Sequence, residues 1–179
     1  MIISAPSGAG KTTIVRRLAK SRKQFRRSIS YTTRRSRAGE VNGKDYFFIS
    51  RREFLKKRAK SFFLEWANVF GEYYGTSKAL CVDWVRNGFH VILTIDVQGM
   101  RKIKRRLKKV IPVTAIFIAP PSLSVLKERL TRRQTDSAAE ISKRLRIARK
   151  EMKAKHEYDF VVVNRHVNDS VKQIKKIVN

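Results

Sequence analysis

The 179-residue chain has little cysteine and no long apolar run, and each shortage excludes a class of protein. Its single cysteine, Cys81, excludes an internal disulfide and favours a reducing compartment. Its most apolar stretches, such as residues 113–119, are too short to cross a bilayer. We therefore expect a cytoplasmic protein that has no membrane partner. The length suits one core, or one core with small inserted subdomains.

Acidic residues are also scarce. The chain has 14 Asp and Glu against 42 Lys and Arg, so its formal net charge is +28. Such a charge is typical of nucleic-acid binding, of attraction to anionic nucleotides, or of a solvated basic surface. Within the basic stretch 51–60, apolar residues recur at helical spacing, which favours ordinary amphipathic helices. We therefore expect nucleic-acid binding only as a non-specific electrostatic attraction.

The chain opens with MIISAPSGAGKTT, which combines features of a phosphate-binding loop. A short apolar, β-prone run is followed by Pro6, Gly8 and Gly10, which break regular structure, and then by apolar residues at helical spacing. Strand, glycine-rich turn and helix are the context that the P-loop pattern G-x-x-x-x-G-K-[ST] requires. Ala5 stands in the place of the first glycine.

The chemistry of a P-loop is still available to these residues. Gly8 and Gly10 can adopt positive φ, so that backbone N–H groups and the helix N-terminus surround anionic oxygens. Lys11 is placed to reach the β- and γ-phosphates, and the Thr12 hydroxyl to ligate Mg²⁺. Thr13 adds a second hydroxyl, although a position on the helix surface explains it better. The predicted ATP-phosphate site comprises Ser7, Gly8, Ala9, Gly10, Lys11, Thr12 and Thr13.

Beyond the loop, strand signals alternate with helix signals, and this predicts an α/β fold with a parallel sheet flanked by helices. Residues 46–76 differ, because short strands follow one another with little helix between them. We expect residues 1–31 and 77–179 to form a P-loop core, with a lid at about 129–144, and residues 32–76 to form an inserted, mostly antiparallel lobe. The pattern also predicts a strand at 28–31 and a last helix at 171–178.

A second anion site is indicated by two arginines that lie three residues apart on one loop, Arg34 and Arg37. Two forked cations suit a bound phosphate, and the hydroxyls of Tyr46 and Tyr74 are further donors. The alternative is that the arginines are surface cations and the tyrosines are core aromatics.

Two carboxylates favour a purine partner. Glu65 lies in the apolar stretch FFLEWAN, where a lone carboxylate is costly to bury, and guanine would present two N–H donors to it. Asp96 ends the strand VILTID, at the sheet edge where α/β proteins bind ligands. The alternatives are an ion pair for Glu65 and a helix cap for Asp96.

The order and spacing of the motifs resemble those of the guanylate kinase family over residues 2–178. The resemblance rests on SAPSGAGKTT, TTRRSRAGEVNGKDYFF, FLEWA, YYGT, ID-x-QG, FIAPPS, RL-x-RR and KRL. It implies a P-loop core, a GMP-binding lobe and a lid. It also implies a transferase of purine nucleotide metabolism that moves the γ-phosphate of ATP to GMP, and to dGMP, with Mg²⁺, giving ADP and GDP.

The resemblance also assigns residues. It implies that Lys11, Arg34 and three arginines of the lid region, Arg129, Arg133 and Arg144, act on the transferring phosphoryl group, and that Asn164 lies near the adenine. The GMP site implied by the same motifs comprises Ser30, Arg34, Arg37, Glu40, Tyr46, Glu65, Tyr74, Gly75, Thr76 and Asp96. Within that set, Glu65, Thr76 and Asp96 would contact guanine, whereas Ser30, the two arginines and the two tyrosines would hold the phosphate.

The chain departs from the family pattern at Thr94, which replaces an acidic residue two positions before Asp96, and at Arg165 and His166, which follow Asn164. Three alternatives stay open: a binding module of this family that has lost catalysis, a phosphotransferase with another acceptor, and a nucleic-acid binder. The retention of Lys11 argues against the first. The sequence is compatible with a monomer and with a homo-oligomer.

Overall fold

The computed structural model describes residues 1–69, 71–107, 110–132 and 137–178. Its strands are β1 (Ile2–Ser4), β2 (Phe25–Arg27), β3 (Tyr31–Thr32), β4 (Phe47–Phe48), β5 (Phe63–Val69), β6 (Glu72–Ser77), β7 (His90–Thr94), β8 (Ala115–Ala119) and β9 (Phe160–Val163). Its α-helices are α1 (Lys11–Ser21), α2 (Arg51–Ala59), α3 (Lys78–Arg86), α4 (Val97–Leu107), α5 (Leu123–Thr131), α6 (Ala138–Lys153) and α7 (Val167–Ile177). A 3₁₀ turn, Ala154–Glu157, follows α6.

The first sheet has five strands in the order β2-β7-β1-β8-β9, and all its pairings are parallel. Its central strand, β1, places Ile2 on one face and Ile3 on the other, and both side chains are fully buried. Helices α3 and α4 contribute to the core on the first face, and α1 and α7 to the core on the second. This is the predicted α/β arrangement of a parallel sheet flanked by helices.

The second sheet has four strands in the order β4-β3-β6-β5. The β3–β6 and β5–β6 pairings are antiparallel, whereas β3–β4 is parallel. Helix α2 packs on this sheet through Phe54, whose ring is fully buried and stacks on Phe63 at 4.4 Å and on Tyr73 at 5.2 Å. The mostly antiparallel pairing agrees with the sequence pattern, while the division of the chain into domains stays a prediction.

Two predicted elements are wrong at their bounds. A strand was predicted at 28–31, but residues 28–30 connect the two sheets. β2 ends at Arg27 and pairs with β7 in the first sheet, whereas Tyr31 begins β3 of the second sheet. The last helix begins at Val167, not at residue 171. Its first turn contains three polar residues, so the apolar spacing from which the helix was predicted begins only at Val171. Within the described ranges, no helix is long and apolar enough to cross a membrane.

Candidate active site

The loop between β1 and α1 has the backbone of a phosphate-binding loop. Gly8 has φ +92° and Gly10 has φ +93°, so the predicted left-handed conformations are present. The Ala9 N–H donates to Pro6 O at 3.1 Å, which closes a turn, and Gly10 caps the N-terminus of α1. A helix N-terminus that follows such a turn favours an anion because its first N–H groups have no partner inside the helix.

Packing behind the loop also requires glycine at these two positions. A Cβ on Gly10 would lie 2.4 Å from Asn164 Nδ2. A Cβ on Gly8 would lie 3.0 Å from both Leu126 Cδ1 and Leu130 Cδ2 of α5. Larger residues would therefore meet the protein on the inner side of the loop as well as adopting an unfavourable φ.

The first turn of α1 carries the predicted cation and hydroxyls. Lys11 is partly buried, whereas Thr12 and Thr13 are exposed. Burial lowers the pKa of the Lys11 ammonium, and the negative charges of Glu151 and Asp96 oppose that shift. Among the described residues, no group of three or more His, Cys, Asp or Glu side chains could hold a metal. The exposed Thr12 hydroxyl nevertheless fits Mg²⁺, because this ion takes few protein ligands and keeps phosphate oxygens and waters.

Two of the three arginines predicted for the lid region contact the surroundings of the loop. Arg129, near the end of α5, donates from Nη2 to the backbone oxygen of Asn164 at 3.1 Å. Arg144 of α6 donates from Nη1 to Ser7 Oγ at 2.7 Å. The third, Arg133, lies outside the described residues.

Asn164 lies behind the loop. Its side chain is buried, with 2% exposed, and Nδ2 donates to Ala9 O at 2.8 Å. Its Oδ1 accepts from Ser170 Oγ at 3.1 Å. The predicted proximity of Asn164 to adenine stays a prediction.

The second basic group is organised by a carboxylate. Arg34 Nη2 lies 2.8 Å from Glu40 Oε1 and 2.9 Å from Oε2. The same Oε2 accepts from the backbone N–H of Arg37 at 2.8 Å. Glu40 therefore holds both ends of the 34–37 loop segment, and its place among the GMP ligands remains a prediction.

The predicted tyrosines are near this ion pair. The Tyr46 and Tyr74 rings meet edge to face at 6.0 Å, and the Arg34 guanidinium carbon is 5.5 Å from the Tyr46 centroid. Burial raises the pKa of the Tyr46 hydroxyl, so this group is a neutral donor at neutral pH. Ser30 is buried and Arg37 is exposed.

Glu65, in β5, is the buried carboxylate that the sequence predicted. It is 4% exposed, and Oε1 accepts from Thr76 Oγ1 of the neighbouring strand β6 at 2.6 Å. Burial raises the pKa of Glu65 to about 7; the Thr76 hydrogen bond opposes this shift, and the charge of Asp96 adds to it. A ligand that brings N–H donors to this carboxyl group would meet its second oxygen, Oε2, which lies close to Gly99 of α4.

Asp96 and Glu65 converge at Gly99 of α4. A Cβ on Gly99 would lie 3.0 Å from Glu65 Oε2 and 3.2 Å from Asp96 Oδ1, so the absence of a side chain lets the two carboxylates approach the helix. Asp96 Oδ1 accepts from the Gly99 N–H at 2.8 Å. Asp96 thus caps α4, the alternative weighed from the sequence, and its contact with guanine stays a prediction.

Gly75 has a clear packing role. A Cβ at this position would lie 2.7 Å from Phe63 Cδ1, so the phenyl ring occupies the space that any side chain would need. The pairing of β6 with β3 and β5 on either side leaves little room for adjustment. Its predicted contact with GMP remains a prediction.

Sequence reasoning missed Glu151 and Gly99. Glu151 lies in α6, and burial raises its pKa to about 7, with Lys11 opposing the shift and Asp96 adding to it. A signal was present: Arg144, Ala148 and Glu151 are spaced for one helix face, Arg144 reaches the loop, and Ala148 is 1% exposed. Gly99 entered the sequence analysis only as the glycine of the motif ID-x-QG, with no role assigned to it.

The departures from the family pattern lie at two places. Thr94 ends β7 and pairs in register with Ile3, next to the strand that leads into the loop. Arg165 and His166 are exposed beside buried Asn164. Neither position disturbs the backbone of the loop.

A parallel sheet, a P-loop on its central strand and a second basic site together define a P-loop phosphotransferase. The guanylate kinase family model matches residues 1–179. The chain therefore belongs to the guanylate kinase family, and the predicted fold class, enzyme class and phosphoryl transfer from ATP to GMP are confirmed.

Individual relatives agree with this assignment. The guanylate kinase of Protochlamydia amoebophila (strain UWE25) is 45% identical over 181 residues, which cover 99% of this chain and 88% of the relative. That of Wolbachia sp. subsp. Brugia malayi (strain TRS) is 42% identical over 179 residues, covering 100% and 91%. The crystal structure of guanylate kinase from Anaplasma phagocytophilum superposes with a TM-score of 0.78 at 33% identity, covering 99% of this chain and 82% of that one.

Proposed function

We propose that the family reaction, transfer of the γ-phosphoryl group of ATP to GMP, takes place at a single Mg²⁺-dependent site formed by the loop and the second sheet, and that it extends to dGMP. The observation that supports GMP as acceptor is the buried pair of Glu65 and Thr76. A carboxylate in that position is matched by the amino group and ring N–H of guanine, whereas adenine would bring only one of these donors. Asp96 also supports GMP as the acceptor. It follows β7, the strand that pairs with β1, and its Oδ1 approaches Gly99 together with Glu65 Oε2.

On the ATP side, the triphosphate would lie on the backbone of residues 7–10 and the N-terminus of α1. Lys11 would contact the β- and γ-phosphates. Thr12 would hold Mg²⁺, which supplies charge neutralisation across the β- and γ-oxygens when bound. Thr13 would remain a secondary hydroxyl at the edge of this site.

On the GMP side, Arg34 and Arg37 would hold the phosphate, with Ser30, Tyr46 and Tyr74 as hydroxyl donors. The charge of Arg34 is already balanced by Glu40. The GMP phosphate would therefore either share Arg34 with Glu40 or replace one of its contacts. Such an exchange is favourable because a phosphate dianion offers three acceptor oxygens to the same fork.

The transfer step needs positioning and charge, without a covalent enzyme intermediate. Negative charge on the transferring phosphoryl group would be stabilised by four cations, Lys11, Arg129, Arg133 and Arg144. Closure of residues 129–144 over the nucleotides would exclude water and prevent hydrolysis. We place this reaction in the cytoplasm, and expect any contact with nucleic acid to be non-specific and salt-sensitive.

The test is ADP formation from ATP and Mg²⁺ with GMP, dGMP, AMP, CMP or UMP offered separately. We expect turnover with GMP and dGMP only. Turnover with AMP would contradict the role of Glu65 and Thr76. No turnover with any acceptor would indicate a binding module that has lost catalysis, and Thr94 would be the first residue to restore to an acid.

A further inference from the structure

Asn164 forms hydrogen bonds with four separate parts of the chain. Its side-chain Nδ2 donates to Ala9 O at 2.8 Å, across 155 positions of sequence. Its side-chain Oδ1 accepts from Ser170 Oγ of α7 at 3.1 Å, and its backbone oxygen accepts from Arg129 Nη2 at 3.1 Å. Its backbone N–H donates to Ala119 O at 2.8 Å, which anchors it to the end of β8.

The orientation of the Asn164 amide follows from its partners. Ala9 O can only accept, so the atom that faces it must be the Nδ2 donor. Ser170 Oγ shares its proton between Asn164 Oδ1 and His166 O, which is 3.2 Å away. Both Asn164 and Ser170 are 2% exposed. The two polar ends of the Asn164 amide therefore have protein partners in a place that water does not reach.

The contact with Ala9 O determines where the next N–H points. No peptide bond among the described residues is cis, so the Ala9–Gly10 peptide is trans and planar. In a trans peptide the carbonyl and the following N–H point in opposite directions. When Asn164 holds the Ala9 carbonyl inward, the Gly10 N–H is directed outward, to the side where the loop would receive phosphate.

Gly10 shows how closely the amide fits. Asn164 Nδ2 would lie 2.4 Å from a Cβ at Gly10, so the amide occupies the place of a side chain. Since Asn164 is buried and hydrogen-bonded at both ends, it has little freedom to withdraw.

We propose that Asn164 is a positioning residue that orients the Ala9–Gly10 peptide for the triphosphate, with Ser170 holding its amide in place. This inference rests on the proposed role of the loop in binding the phosphates of ATP. It differs from a contact with adenine, because Asn164 would act on any ligand that carries the phosphate chain, with or without a base.

The sharpest test uses inorganic triphosphate with Mg²⁺, a ligand without base or sugar. Binding of this ligand, of ATP and of GMP is measured by calorimetry for the wild type and for Asn164→Asp. This change keeps the shape of the side chain but places an acceptor against Ala9 O. We expect affinity for both inorganic triphosphate and ATP to fall by roughly 30-fold, while affinity for GMP changes less than twofold.

Three further variants complete the experiment. Asn164→Ala removes the donor without adding repulsion, and roughly a tenfold loss is expected. Ser170→Ala leaves the Ala9 contact in place, and roughly a threefold loss is expected. Asn168→Asp makes the same chemical change at an exposed position four residues along the chain, and should leave all three affinities unchanged.

The outcomes separate the competing explanations. A loss for ATP with unchanged binding of inorganic triphosphate would overturn the proposal in favour of an adenine contact. Equal losses for GMP and ATP, together with a lower melting temperature, would overturn it in favour of a general structural role. If Asn164→Asp does not fold, Asn164→Ala and Ser170→Ala decide the question by the same comparison. Wild-type protein that does not bind inorganic triphosphate would instead refute the proposed role of the loop.

Discussion

The two halves of the site are held in different ways. On the ATP side, the loop is fixed from behind by groups that would not touch the phosphates, such as the Asn164 side chain and Leu126. On the GMP side, the groups predicted to bind substrate are held by each other, as in the Arg34–Glu40 pair and the Glu65–Thr76 pair. The P-loop side is therefore held by residues outside its ligand contacts, while on the acceptor side the predicted ligand groups themselves hold the site in shape.

This difference has an energetic consequence. A preorganised loop loses little freedom when its ligand arrives, so its contacts translate directly into affinity. On the acceptor side, loss of one predicted ligand group also removes a support of its neighbours, so its effect on GMP binding combines both losses. Substitutions on the two sides should therefore change different kinetic constants.

The largest effect is expected for Lys11→Ala. Loss of a cation from the transferring phosphoryl group should lower kcat by roughly 10³-fold, and should leave the affinity for GMP nearly unchanged. Steady-state kinetics with ATP and GMP varied independently measure both constants. Lys20→Ala, on the same helix but exposed in its last turn, is the control. Near-normal turnover in Lys11→Ala would contradict the proposed division of the site.

The next largest effect is expected for Glu65→Gln, on the GMP side of the site, and it concerns KM for GMP. The amide keeps the shape but loses the charge and presents an N–H₂ group toward the donors of guanine, so KM for GMP should rise by roughly 50-fold. KM for ATP should stay within twofold of wild type. Glu53→Gln, at an exposed site of α2, is the matched control. Equal changes in both KM values would mean that Glu65 is structural.

Glu40→Ala probes the ion pair itself. Because Glu40 holds both Arg34 and the Arg37 backbone N–H, its loss should leave the loop less ordered and raise KM for GMP by roughly tenfold. KM for ATP should not change. Tighter binding of GMP by the variant would show the opposite, that Glu40 competes with the substrate phosphate for Arg34.

An effect of about the same size is expected in the pH dependence of GMP binding. Burial raises the pKa of Glu65 to about 7, and only the ionised form accepts two N–H donors from guanine. Affinity for GMP should therefore rise with pH, by about tenfold between pH 6 and 8, and level off above that range. Since phosphate groups also titrate near pH 6, the measurement is the difference between wild type and Glu65→Gln.

The raised pKa of Glu65 also makes the free energy of unfolding depend on pH. The folded pKa of about 7 is above the ordinary value of 4.5, so folded protein binds the proton more tightly. The stabilisation is complete below the ordinary value and is lost as the pH rises through the folded pKa, by roughly 3 kcal/mol at most. Glu65→Gln should flatten this part of the stability profile, as followed by urea unfolding at pH 5 and pH 8.

Sequence reasoning succeeded where the determinants are local. The conformations of Gly8 and Gly10 follow from the loop pattern, because strand, turn and helix are contiguous there. The burial of Glu65 follows from its apolar neighbours, since a strand of that composition packs on both faces. Both features need only a window of about ten residues.

It failed where partners are distant or where charges are abundant. The bond from Asn164 to Ala9 spans 155 positions, and the local sequence around Asn164 contains no sign of it. Glu151 was overlooked because one acid among many basic residues on an amphipathic helix suggests an exposed salt bridge. Its partly buried position depends on how α6 packs beside the loop, and the spacing of Arg144, Ala148 and Glu151 marks a shared helix face without specifying that packing.

The position of β1 has a consequence for how the chain is made. This strand is central in its sheet, yet its two neighbours, β7 and β8, lie about 90 and 115 residues further along the chain. At the usual pace of translation, β8 leaves the ribosome roughly 6 to 23 s after β1. Ile3 packs with residues of α1 that follow at once, whereas the buried residues clustered with Ile2 begin at Leu64. One face of β1 therefore stays uncovered for part of synthesis and is open there to chaperone binding.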